Sequence, residues 1–187
     1  DFEPPLLPAE EILLTNCAHG KKAEISHGVP VDKSDPAKII RASFLRFLLL
    51  GGDEQAPVHE TGVQLLGAWI EGELDLTNCF VPHGMTLSNC KFDMPIIARD
   101  AHIAGLLLLS GSHLRRGLIA DRLRCDSGVF LRSGFRSFDA VCLSGAQIGG
   151  DLDCSNGQFE SEKGYALSAE GAVIKGYVFL HMQFKAT

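Results

Sequence analysis

The chain has 187 residues, a net charge of −6, 45% apolar residues and 21% charged residues. That length suits one sizeable domain or one domain with a small appendage, and the composition places it among soluble globular proteins. No apolar run approaches the roughly 18–20 residues that cross a bilayer, which excludes a spanning helix.

The acidity is uneven. Residues 1–61 hold 6 Lys/Arg against 10 Asp/Glu, whereas residues 62–187 hold 11 against 13. The second segment is nearly balanced, so charge alone gives little reason to expect a nucleic-acid mimic or a nucleic-acid partner. The six cysteines form no CxxC pair and no metal-ligand spacing. They read as free thiols of a reducing compartment, hence a cytoplasmic protein. No secretory signal is legible, in a chain that starts at Asp1 and not at a methionine.

Residues 1–61 form a leader. Its opening is Pro-rich, and Pro8 followed by Glu10 and Glu11 predicts a short helix that His19-Gly20 stops. The polar stretch Lys21 to Lys33, with Gly28 and Pro30, predicts a loop. Asp35 then offers an N-cap, Pro36 suits a first helical position and Gly51-Gly52 closes the segment. Ile40, Phe44, Phe47 and Leu48 fall at three- and four-residue spacing, so a capping helix is expected over about 36–50.

From Gly62 to the end the chain repeats. Apolar triplets such as Leu74-Asp75-Leu76, Leu107-Leu108-Leu109, Val129-Phe130-Leu131 and Val178-Phe179-Leu180 alternate with triplets that join a small to an apolar residue. Examples of the second kind are Ala68-Trp69-Ile70, Ala101-His102-Ile103 and Ala146-Gln147-Ile148. Equivalent triplets recur at about 22 residues, the signature of a solenoid whose coils bury apolar residues only against their neighbours. One column reads Ile70, Phe92, Leu114, Arg136, Phe159, and a second reads Phe80, Ile103, Cys125, Ile148, Ile174. In-out-in triplets are strand patterning, and Gly or Asx residues punctuate nearly every one. The expected fold is mainly β: a quadrilateral β-helix of about five to six coils over 62–187, plugged at its N-terminal end by the α-helical cap. The far end shows no comparable plug, leaving it as an association surface or as a point where the chain has been cut short.

The small-x-apolar grammar of Ala101-His102-Ile103 and Ala146-Gln147-Ile148 resembles that of the pentapeptide-repeat proteins, which are right-handed quadrilateral β-helices. The coil departs from that family in its length of about 22 residues and in large residues such as Leu107 and Tyr165 where the family prefers Ala. The resemblance implies a DNA-mimicking, topoisomerase-binding regulator, a reading that a continuous acidic face would favour. The run Gly67-Ala68-Trp69-Ile70-Glu71-Gly72-Glu73-Leu74-Asp75-Leu76 also looks like a bacterial group of uncharacterised repeat proteins sometimes labelled membrane-associated oxidoreductases. No Gly-rich dinucleotide loop, redox Cys pair or spanning helix accompanies it, so no activity is carried over.

No catalytic, cofactor or metal constellation is legible, and the chain is expected not to be an enzyme. His102 and His113 are middle residues of triplets that face solvent without a metal-ligand partner in sequence. Cys90, Cys125 and Cys154 fall at inward positions and Cys142 at an outward one. Arg115, Arg116, Arg122, Arg124, Arg132 and Arg136 lie within about two coils. They are a candidate anion site, although interleaved aspartates also allow surface ion pairs worth roughly 0–1 kcal/mol each. An enzyme acting on an anionic substrate there is the third reading.

The most informative surface feature is apolar. Ile96, Ile119, Cys142 and Ala166 are expected in one outward column, and Leu108, Phe130 and Phe179 in another on the opposite face. Monomers rarely expose such strips. One is expected to be covered by the leader and the other to meet a second copy or a protein partner. Ile96, Leu108, Ile119, Phe130 and Phe179 are therefore the candidate interaction surface of a non-enzymatic interaction or scaffold module. Attachment to a membrane through such a strip, without a spanning segment, also stays open.

Overall fold

The computed structural model describes residues 5–187. Short parallel strands stack into four sheets that wrap around one apolar core, a β-solenoid of about five turns with an α-helical N-terminal end. Face 1 stacks Ala23–Glu24, Val63–Leu66, Met85–Ser88, Leu107–Leu108, Val129–Phe130, Leu152–Asp153 and Val178–Phe179. Face 2 stacks Ile39–Arg41, Trp69–Glu71, Lys91–Phe92, His113–Leu114, Arg136–Ser137, Gln158–Phe159 and Lys185–Ala186. Face 3 runs from Leu74–Asp75 to Leu167–Ser168, and face 4 from Phe80–Val81 to Val173–Ile174.

The corners explain the two-residue strands. Where face 1 turns into face 2, successive coils place Gly67, Asn89, Gly111, Ser133 and Asn156 at positive φ. Where face 3 turns into face 4, the same conformation falls on Asn78, Asp100, Arg122, Gly145 and Gly171. Gly and Asn visit this left-handed region at little cost, and Asp does so more readily than most residues. Gly111 also has no room for a side chain, because a Cβ there would sit 2.0 Å from Asn89 Oδ1. Arg122 tolerates its corner while holding Asp100 of the preceding coil by two hydrogen bonds of 2.7 and 2.6 Å.

The coil is not constant. Met85 lies opposite Leu107 and Leu107 opposite Val129, steps of 22 residues, but Val129 lies opposite Leu152 and Leu152 opposite Val178. The added residue moves the face 2 core column to Ile70, Phe92, Leu114, Ser137 and Phe159, so Arg136 points outward and not into the column as expected. The core volume is recovered two residues earlier. Ala68, Cys90, Ser112 and Gly157 are small, whereas the equivalent Phe135 is large and fully buried, its ring 5.3 Å from that of Phe159. Large and small have exchanged places within one coil. On face 4 the inward column begins at Val81, and Phe80, expected inside, is 56% exposed.

The leader differs from expectation in two places. The helix expected over about 36–50 is three elements: a single 3-10 turn at Pro36–Lys38 capped by Asp35, a strand at Ile39–Arg41, and a helix, α2, at Ala42–Leu49. Ile39–Arg41 pairs with Trp69–Glu71, so the edge of face 2 takes residues that sequence spacing assigned to a helix. Within the stretch expected to be loop, Ala23–Glu24 pairs with Leu65-Leu66 on face 1. The first helix, Pro8–Ala18 (α1 in position before α2), lies where predicted and buries Ala9, Leu13 and Cys17 against the first coil, as α2 buries Phe44, Leu45, Leu48 and Leu49. Together these elements cover the open edges that an uncapped stack would expose. At the other end the last coil is more open: Val178 and Leu180 are each 50% exposed.

Candidate functional site

Strand register decides which side chains reach the surface. On face 3 the outward column is Asp75, Ile97, Ile119, Cys142 and Ser168. Ile119 and Cys142 are outward as expected, but Ile96 is fully buried and its neighbour Ile97 takes its place. Ala166 is likewise buried, with Ser168 in the column. On face 1 the outward column is Thr86, Leu108, Phe130, Asp153 and Phe179, so Leu108, Phe130 and Phe179 are outward and half-buried. Asp153 interrupts this strip. Its Oδ2 accepts a 2.7 Å bond from Arg132 Nη1, and the Arg132 guanidinium lies 4.8 Å from the Phe130 ring centroid. Burial would raise the Asp153 pKa, but hydrogen bonds from the Ser155 side chain and backbone and from Arg132 hold it below the ordinary carboxylate value.

Among the described residues, no hydrogen bond or ion pair joins the leader to Leu108, Phe130 or Ile119. The leader runs across face 2, where Val31 O accepts from Lys91 Nζ at 2.9 Å, His27 O accepts from Asn89 Nδ2, and Lys33 pairs with Asp93 at 2.8 Å.

The six arginines of the candidate anion site are not one cluster. Arg122 pairs with Asp100 on the corner before face 4, Arg124 with Asp126 on face 4, and Arg132 with Asp153 beside face 1. Arg116 is exposed just before the next corner, at Gly117. Only Arg115 and Arg136 share a face, face 2, where Arg136 lies opposite His113 and Arg115 follows two residues after it. There they join two residues that sequence reasoning left out of the set, Lys91 and His113. Lys91, His113 and Arg136 follow Trp69 as successive members of one outward column. An open groove of about 420 Å³ follows, lined by Trp69, Lys91, His113, Arg115 and Phe138. Lys91 Nζ lies 4.5 Å from the centre of the Trp69 ring, and Lys33 Nζ lies 5.6 Å from it. His113 is half-buried, and burial followed by the charges of Arg136 and Lys91 lowers its pKa and favours the neutral imidazole. The signal that locates this site in sequence is the spacing of 91, 113 and 136, which follows the coil.

Two other constellations do less. His102 Nε2 lies 2.8 Å from Asp126 Oδ2, and Arg124 holds the other oxygen at 3.0 Å. These two partners account for the lowered Asp126 pKa. Ser155 Oγ touches both Asp153 Oδ1 and His181 Nε2. In a nucleophilic triad the carboxylate orients the imidazole, whereas here it takes the serine hydroxyl directly. Among the described residues no group of three or more His, Cys, Asp or Glu side chains is placed to hold a metal, and no helix is long and apolar enough to cross a membrane.

All six cysteines are free. Burial pushes Cys90 and Cys154 up to about 12 and Cys17 and Cys125 up to about 11. Only Cys79 and Cys142 are partly exposed. Titration with a thiol reagent at pH 8 is therefore expected to modify Cys79 and Cys142 in the folded protein and the other four only after unfolding. Rapid modification of Cys90 in native protein would contradict the register.

The fold and these surfaces define a four-sided parallel β-solenoid, with a rigid stack that displays side chains at fixed spacing. Comparison with family models, with curated proteins and with solved structures gave no match to the chain.

Proposed function

We propose that this protein is a non-enzymatic interaction module of the pentapeptide-repeat-like, right-handed β-helix kind, and that it associates with a second copy of itself through face 1. The observation that carries the reading is the half-buried, outward pair Leu108 and Phe130, stacked on adjacent strands. Thr86 flanks the pair on one side and the Arg132–Asp153 ion pair on the other. An apolar centre with a polar rim is interface anatomy, and arginine is enriched at such sites. Because polar groups flank the centre on both sides, a copy related by a two-fold axis would present the same centre in return. The family placement draws support from the four sheets of parallel strands and the small-x-apolar grammar. The buried free thiols support a reducing, cytoplasmic setting.

A topoisomerase-binding DNA mimic draws less support from the surface. Asp100, Asp126 and Asp153 are each engaged by an arginine, and the charged members of the face 2 column from Lys91 to Arg136 are positive.

The Phe130 side chain points outward, so Phe130→Asp is expected to leave the melting temperature close to that of the parent. It should weaken self-association by about tenfold or more, the scale of an aromatic hot spot. Sedimentation of the two proteins side by side reads this directly, and equal association would remove face 1 from the interface.

A further inference from the structure

The groove on face 2 is separate from the proposed face 1 contact. We propose that it is a binding site for a small phosphorylated compound that carries a flat ring, of the nucleoside monophosphate kind.

Three observations point to that chemistry. First, the cations are available. Lys91, Arg115 and Arg136 form no ion pair among the described residues, unlike Arg122, Arg124 and Arg132. Near Lys91 the carboxylates are engaged, since Glu71 and Asp93 hold Lys33 and Asp32 accepts from Ser34, whereas Glu160 and Glu162 lie beside Phe138 without an ion pair. Guanidinium groups suit phosphate because their paired N–H donors match its oxygens. Second, the groove has an aromatic platform. The Phe138 ring is 46% exposed and packs edge-on to His113 at 6.3 Å, whereas the Trp69 ring is nearly covered and lies beside the lysine ammoniums. A flat ring can stack on Phe138, with its phosphate towards Arg115 and Lys91, and Arg136, the strand neighbour of His113, adds positive charge beside the groove. Third, the backbone under the site is regular. Lys91, His113 and Arg136 stand on adjacent strands of one parallel sheet, about 4.8 Å apart per step, so the backbone fixes their spacing before binding. His113 sits between the two cations in the column and offers a ring nitrogen for one hydrogen bond. The space of about 420 Å³ holds a ring and a phosphate together, and a lone phosphate would leave most of it empty.

Calorimetric titration of the full chain with adenosine monophosphate tests the assignment, with inorganic phosphate and a short acidic peptide as separate arms. Saturable binding of adenosine monophosphate that weakens as salt is raised is expected. Arg136→Glu and Arg115→Glu should each weaken it by about tenfold or more, as loss of a charge-assisted contact does. Phe138→Ala should weaken it by about tenfold through lost stacking, and inorganic phosphate should bind far less tightly than the nucleotide. Arg124→Glu, on the opposite face, should leave binding unchanged, and a thermal melt of each variant checks that it folds. The site is overturned by absence of saturable nucleotide binding, by binding that survives both charge reversals, or by an equal loss in Arg124→Glu. Phosphate that binds as well as the nucleotide, with Phe138→Ala without effect, removes the ring from the assignment. Binding of the acidic peptide alone removes the ligand class.

Discussion

Glu10→Ala is expected to destabilise the protein by about 3–5 kcal/mol, the cost of breaking a buried ion pair from one side. The Glu10 side chain is fully buried, yet it makes four hydrogen bonds. One oxygen accepts from Arg41 N and Nε, both at 2.9 Å, and the other accepts from Leu7 N and Arg41 Nη2. A single carboxylate thus ties the start of α1 to the strand that begins face 2. Alanine would leave the Arg41 backbone N–H, the Leu7 N–H and a half-buried guanidinium without this partner. Glu10→Gln keeps the shape and part of the hydrogen bonding, so it is expected to lose less.

The effect has a pH signature. Burial by itself would raise the Glu10 pKa, but the bonds from the Arg41 side chain and from the Leu7 and Arg41 backbones outweigh it and hold the pKa below its ordinary 4.5. The carboxylate therefore binds its proton less readily in the folded state than in the unfolded chain. Its contribution is fully present above pH 4.5 and is lost as pH falls through the lowered folded value. Urea unfolding curves of the parent and Glu10→Gln should be well separated at pH 7 and approach one another in acid. A constant gap across that range would contradict the assignment.

The second large effect concerns the exchanged residues Phe135 and Ser137. Phe135→Ala is expected to cost about 3–5 kcal/mol, because it empties the ring volume packed against Phe159. Ser137→Leu alone forces a larger side chain into the same coil and removes the Ser137 hydroxyl bond to Asp139 O, for about 1–3 kcal/mol. The double variant restores the small-x-large order of neighbouring coils, so its loss should fall short of the sum by about 1–3 kcal/mol. Strict additivity in chemical denaturation would mean that the two positions do not share one volume.

Much of the fold was legible because alternation with period two survives the irregular coil. Inward Ile70, Phe92, Leu114, Cys125 and Ile148 all follow from it. The errors fall where two adjacent apolar residues make either register plausible. Ile96-Ile97 and Phe80-Val81 each offer such a choice, and it is settled by the neighbouring strand, not by the residues themselves. Arg136 was placed inward because a step of 22 was carried one coil too far. The helix boundary failed for a tertiary reason. Asp35 and Pro36 do cap a turn, but Ile39–Arg41 is drawn onto the open edge of Trp69–Glu71, and the helix starts only afterwards. The Glu10–Arg41 tie joins residues far apart in sequence and has no local signature. The arginine set was too broad because charge counts along the chain do not distinguish faces. Once the register is known, three of the six arginines are paired with aspartates, Arg115 lines one groove with Lys91 and His113, and Arg136 follows His113 in the same column.

The central functional claim is that face 1 joins two copies of this chain. The most direct test is the solution mass of the purified protein by light scattering over a range of concentrations. A species of twice the 20.2 kDa chain mass, giving way to the single-chain mass on dilution, is the predicted result. A constant mass of 20.2 kDa at every concentration would contradict it.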